Sequence, residues 1–207
     1  MRAGIDFAGG LRAFLRHDPN VIMVGEIRDN ETAEIATNAA LTGHLVLSTL
    51  HTNDASTAVP RLMDMNVPQF LVSATLNLVM AQRLVRKVCE ECIESEPATE
   101  EQIQSITGQL KISAPDKLAS FKVPQVLYRG KGCQSCHWVG YRGRLAIFEI
   151  LDVDAEIREY ISQKGFTLEG LKKIMSKQGM KTMFEDGLEK AELGLTTIEE
   201  VLRVIRE

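Results

Sequence analysis

No stretch of the chain approaches the ~20 consecutive apolar residues that a membrane-spanning helix needs, and Met1 to Gly10 lack the apolar core of a secretory leader. Both absences point to a cytoplasmic protein. Basic excess is missing too: 24 Lys and Arg stand against 28 Asp and Glu, a net charge of −4, and aromatic residues make up only 5% of the chain. A nucleic-acid binder draws on a basic surface and on stacking rings, so nucleic acid is not an expected partner. There is no internal repeat and no low-complexity tract. What is present is a core: 44% of the 207 residues are hydrophobic, which favours one full domain or two small ones over disorder.

An α/β pattern runs through the first third. Gly9, Gly10 and the run Leu11 to Arg16 suggest a short helix with no strand before it, so the chain is expected to begin inside a domain. Val21 to Val24 is an apolar run opened by Asp18-Pro19-Asn20 and closed by Gly25, the signature of a buried parallel strand. A helix follows from Asn30, a plausible N-cap, through Ala33, Ile35, Ala36, Ala39 and Ala40 to Thr42-Gly43. His44 to Thr49 reads as a second buried strand. Thr52-Asn53-Asp54 caps a helix over Ala55 to Met65, and Pro68 opens another running through Leu84. Strand and helix alternating in this way predict a parallel sheet.

Composition changes after Val85. The segment from Lys87 to about Arg144 is polar, broken by prolines and rich in glycine around Cys133, which reads as a loop-rich module. Leu145 to Ile150 reads as a strand. Asp154 to Ser162, Thr167 to Lys177, Thr182 to Leu193 and Thr196 to Ile205 read as amphipathic helices. Thr197 and Glu200 have the spacing of a capping box.

Three groups of residues carry chemistry. Glu26 follows the first apolar strand, at the carboxyl edge where open α/β sheets bind ligands. An acid there serves Mg²⁺ or an attacking water in phosphoryl transfer, or is simply the first solvated residue after a buried strand. His51 follows the second strand and shares that edge if the strands are parallel. Its imidazole can donate to a phosphate or cap the helix beyond. His44 stands at the opposite end of the same strand, where a satisfied structural role is the simpler reading. Cys89, Cys92, Cys133 and Cys136 form two CxxC pairs. Two such knuckles complete a tetrahedral Cys₄ zinc site with no open position, against the alternatives of a redox CxxC or two disulfides.

Taken together, the segments resemble the type II secretion and type IV pilus-assembly ATPases. The residues that carry the resemblance are Phe7 to Arg16, Asp18-Pro19, Val24 to Asp29, Thr42-Gly43-His44, Ser48 to Asn53, Ala81 to Arg86, Gly140 to Arg144 and Gly187 to Lys190. It implies that Val24 to Asp29 is the Walker B box with Glu26 its catalytic acid. Thr42 to Asn53 would be the His box, with His51 and His44 sensing phosphate. It also implies ATP and Mg²⁺ as ligands, structural Zn²⁺ on the four cysteines, and a tetracysteine insertion of the kind that pilus-retraction motors generally lack. The expected assembly is a cytoplasmic homo-hexamer, held at the inner membrane by a platform protein and a cytoplasmic linker protein.

Asn20 departs from the Asp common in that family, and His17 falls at a variable position. The larger departure is that no GxxxxGK[ST] phosphate loop occurs anywhere, and neither does the acidic box expected between that loop and the Walker B strand. The family's N-terminal domain and its arginines have no counterpart either. Without the loop's amides and lysine, ATP affinity and hydrolysis are expected to be lost. The polypeptide is then expected to be a fragment or one piece of a split motor. The predicted architecture is α/β: residues 1–86 as the C-terminal half of a RecA-like P-loop ATPase core, 87–145 as the zinc module, 146–207 as a helical subdomain. The rival expectation is a non-enzymatic, zinc-stabilised interaction module.

Overall fold

The computed structural model describes residues 7–206, so most of the leader reading at Met1 to Gly10 lies outside the described residues. In chain order the elements begin with α1 (Phe7–Leu15), β1 (Val21–Val24), α2 (Asn30–Leu41) and β2 (Leu45–Ser48). Then come α3 (Ala58–Asp64), α4 (Gln69–Thr75), β3 (Leu78–Val88), β4 (Ile93–Pro97) and α5 (Glu100–Ser113). After β5 (Val126–Gly130) and β6 (Tyr141–Asp152), the chain ends in α6 (Ala155–Ser162), α7 (Leu168–Lys177), α8 (Met183–Glu192) and α9 (Ile198–Arg206). No helix among the described residues is long and apolar enough to cross a membrane.

The chain forms two compact units, each discontinuous in sequence: Met1–Val79 with Leu151–Met175, and Met80–Ile150 with Ser176–Glu207. The C-terminal helices therefore do not gather into one body. α6 and most of α7 belong to the first unit, α8 and α9 to the second.

In the first unit β1 and β2 pair in parallel, Val21 opposite Leu45 and Val24 opposite Ser48. Ile22 and Val24 point inward, whereas Val21, Met23, Leu45 and Leu47 are exposed. The two strands were expected to be buried on both faces; a two-stranded sheet among the described residues buries the face with Ile22 and Val24 and leaves the other open. α2 lies close because its inner face is Ala33, Ala36 and Ala39, all buried. Its N-cap is Asp29, one residue before the expected Asn30, because the Asp29 carboxylate accepts from the Thr32 amide at 2.8 Å. α3 starts at Ala58, three residues later than expected. Asp54 spends that interval in a turn, accepting from the Thr57 amide and the Ser56 hydroxyl, each at 2.8 Å. α4 and α6 pack together and cap each other. The Gln69 amide donates to the carbonyls of Ile161 (2.5 Å) and Gln163 (2.7 Å). The Arg158 guanidinium donates to Ser73 O at 2.8 Å and Ala74 O at 3.3 Å. Each thus answers carbonyls that a helix end leaves without a partner.

The helix expected from Pro68 through Leu84 ends at Thr75. Leu78 to Val88 is instead a strand paired with β6. Val153 donates to Asn77 O at 2.9 Å and Cys89 to Gly140 O at 3.0 Å, so the two strands run in opposite directions. Leu, Met, Ala, Gln and Arg in this run are good helix formers, and pairing with β6 overrides that weak preference.

The second unit is built on a core of Val85, Ile106, Leu110, Leu127, Ile147, Phe184, Leu188, Ile198 and Val201. The segment expected to be loop-rich contributes a full helix to it: α5 buries Ile106 and Leu110 and opens with a capping box between Thr99 and Gln102. β4 and β5 form an antiparallel pair, Ile93 opposite Gly130. The N-terminus of α8 takes a second capping box, Thr182 with Glu185, and a further acceptor in Glu149 beneath Met183 N at 3.2 Å.

Candidate functional site

Parallel pairing of β1 and β2 puts their carboxyl ends side by side, and the chain ties them together just beyond. Ile27 N donates to Thr49 O at 3.0 Å, and the Thr49 hydroxyl donates to Gly25 O at 2.7 Å. This clamp brings Glu26 and His51 to one edge. His51 Nε2 lies 2.9 Å from Glu26 Oε2. The other carboxylate oxygen, Oε1, is 2.6 Å from a guanidinium nitrogen of Arg28. Hydrogen bonds from Arg28 first and His51 second hold the Glu26 carboxyl below its usual range, so an anion is the resting form. One such carboxylate is what a protein commonly supplies to a Mg²⁺ that keeps phosphates and waters as its other ligands, and the donor set fits that ion.

His44 is not brought to this pair. It precedes β2, while His51 follows it. Its Nδ1 donates to Ala39 O at 2.9 Å and lies 3.2 Å from the Thr42 hydroxyl, which fastens the end of α2 to the start of β2. Nothing in that placement supports phosphate sensing by His44. Arg28, which the sequence pattern does not single out, joins the pair through its contact with Glu26. The available signal was its place two residues from Glu26, since alternate residues of an extended segment share a side.

In the second unit, the four cysteines are free thiols whose sulfurs all lie within 4.8 Å of one another. Cys89 and Cys133 are 3.8 Å apart, Cys92 and Cys136 3.9 Å, Cys133 and Cys136 3.7 Å. Ligands ~2.3 Å from a tetrahedral zinc are about 3.8 Å from each other, so the donor set and its spacing fit that ion. These separations are far beyond a covalent S–S bond of about 2.0 Å. The Cys136 sulfur also accepts from the amides of Cys133 and Gly140, each at 3.2 Å. The knuckle closes because Gly130 and Gly140 touch backbone to backbone. A Cβ on Gly140, whose φ is +80°, would stand 2.5 Å from the Gly130 carbonyl oxygen.

The model of the Type II/IV secretion system protein family matches residues 1–203. The type IV pilus assembly ATPase PilB of Thermus thermophilus is 52% identical over 202 residues, which are 97% of this chain and 22% of that protein. The type II secretion system ATPase E of Vibrio cholerae is 46% identical over 100% of this chain and 38% of its own length. The chain thus spans well under half of the curated relatives it matches. Among solved structures, the pilus retraction motor PilT with bound ADP superposes with a TM-score of 0.63 at 28% identity, over 96% of this chain and 43% of that one. The ATPase DotB of Legionella pneumophila, at 24% identity and TM-score 0.65 over 97% of this chain and 42% of its own, shares the fold. With a match running over nearly all of its length, the chain belongs to the Type II/IV secretion system protein family.

Proposed function

We propose that this chain is the C-terminal part of a hexameric ATPase that powers type II secretion or the assembly of a type IV pilus or pseudopilus. It works at the cytoplasmic face of the inner membrane through a platform protein and a linker protein. The observation that carries the reading is the 2.9 Å hydrogen bond between His51 and Glu26 at the carboxyl edge of a parallel strand pair. Phosphoryl transfer asks a protein for positioning and electrostatics more than for covalent chemistry. Glu26 orients the attacking water and accepts its hydrogen bond. His51 donates to the terminal phosphate and loses that partner when the phosphate leaves. Magnesium, when bound with the nucleotide, neutralises charge on the phosphate oxygens. His44 serves by holding the start of β2.

These 207 residues contain no GxxxxGK[ST] segment, so phosphate affinity comes from an upstream half, and the chain by itself binds ATP weakly and turns it over negligibly. Cys89, Cys92, Cys133 and Cys136 hold one structural Zn²⁺. All four positions are supplied by protein, which leaves none for a substrate.

The test joins the upstream half of a related motor to this chain and compares phosphate release with and without Glu26→Gln. Activity should fall on the order of 10³-fold or more, since a misplaced water forfeits several kcal/mol of barrier lowering. Equal rates would reduce Glu26 to a solvated strand end. A fused protein that takes up no ATP in calorimetry would favour the non-enzymatic module.

A further inference from the structure

We propose that Arg28 is a positioning residue of the phosphate site. Its guanidinium holds one oxygen of Glu26 while His51 holds the other, so the acid stays engaged at both oxygens until an anionic phosphate draws the two side chains away. The idea rests on reading Glu26 and His51 as the phosphate end of a nucleotide site.

The geometry has three parts. First, the backbone around the site is fixed: residues 25 and 27 are bonded to Thr49, and Asp29 is committed to capping α2. Rearrangement is therefore left to the side chains. Second, the acid is the sheltered member and its partners are the open ones. The Glu26 side chain is 23% exposed, against 67% for Arg28 and 77% for His51. Both partners can swing outward without unpacking anything. Third, a carboxylate bonded through Oε1 to Arg28 at 2.6 Å and through Oε2 to His51 at 2.9 Å has one acceptor site on each oxygen taken, which leaves fewer for water.

Exchange is favourable because exposed ion pairs contribute little. A phosphate carries more charge and more acceptor oxygens than a carboxylate, and a guanidinium fork engages two of them at once. Arrival of the phosphate would thus place the guanidinium and the imidazole on the nucleotide and free the acid in one exchange.

The test uses this chain joined to the upstream half of a related motor, so that the phosphate loop is present, with ¹³C-labelled glutamate. The Glu26 carboxyl signal, assigned from Glu26→Gln, is followed through pH with and without sodium tripolyphosphate. In the wild type the polyphosphate should move the Glu26 midpoint upward. In Arg28→Gln the midpoint should already be raised and its response to polyphosphate reduced. Arg28→Lys should keep the low midpoint, since it keeps the charge. An unmoved midpoint in Arg28→Gln would overturn the proposal, and so would a wild-type signal indifferent to millimolar tripolyphosphate. These outcomes are separable from failure of the nucleotide-site reading. A fused motor slowed by Glu26→Gln, alongside a titration blind to Arg28, removes Arg28 alone.

Discussion

Glu200 lies 2% exposed within the second unit, with its charge met from two directions. It accepts from the Arg86 amide at 3.1 Å and the Arg86 guanidinium at 2.5 Å, and from Arg203 at 3.0 Å. Burial pushes its pKa up, but the arginine hydrogen bonds win and hold it at about 2 against an ordinary 4.5. A carboxyl depressed in the folded state stabilises the fold fully above its unfolded pKa, and that stability fades as pH falls toward the folded value. By that linkage Glu200 contributes on the order of 3 kcal/mol at neutral pH. Glu200→Gln should lower the urea midpoint at pH 7, with the gap to wild type narrowing below about pH 4.5 and nearly closed by about pH 2. A gap constant across that window would mean that the ion pairs contribute nothing. The sequence spacing located half of this correctly. Thr197 does cap, accepting the Glu200 amide at 3.3 Å. The carboxylate, read as the returning half of a capping box, is turned instead to an arginine 114 residues away, a distance no local pattern spans. The Glu26 and His51 edge was legible for the converse reason: each residue sits at the end of an apolar run, and parallel pairing does the rest.

Among the elements, those announced by caps and punctuation were read well, and those decided by partners were not. α6 and α8 begin after Asp154 and Thr182, as their sequences suggest. β3 looked helical because its preference was local and its pairing with β6 was not. α5 hid in a polar stretch because only its inner side, with Ile106 and Leu110, is apolar. Thr182→Ala removes a side chain that accepts the Glu185 amide at 3.3 Å and should cost about 1 kcal/mol. Because Glu149 still meets the same helix end, a loss well above about 2 kcal/mol would exceed what a cap supplies. The cysteine knuckle is more demanding. Gly140→Ala drives a methyl into the Gly130 carbonyl and forces a side chain to positive φ. The purified variant should retain well under one zinc per chain, against the one proposed for the wild type. Full retention would show that the backbone can part without opening the thiolate cluster.

Across the whole chain, the division into two interleaved units determines how far a local injury spreads. Cys89 to Cys136 lie in the same unit as α8 and α9, so stripping the proposed zinc should loosen more than the knuckles. Hydrogen exchange after chelation should quicken at Phe184 and Val201 while Ile157 and Ile161, in the other unit, keep their protection. Uniform quickening in both would argue against separate units. The interleaving also imposes an order on synthesis. The carbonyl of Ser73 at the end of α4 waits for Arg158, 85 residues later, and the first unit is incomplete until Met175 has been made. At ribosomal speeds that wait is on the order of ten seconds. Throughout it α4, which buries Leu71 and Val72 in the finished unit and packs against α6, stands without that partner, which makes the nascent polypeptide a natural client for holding chaperones.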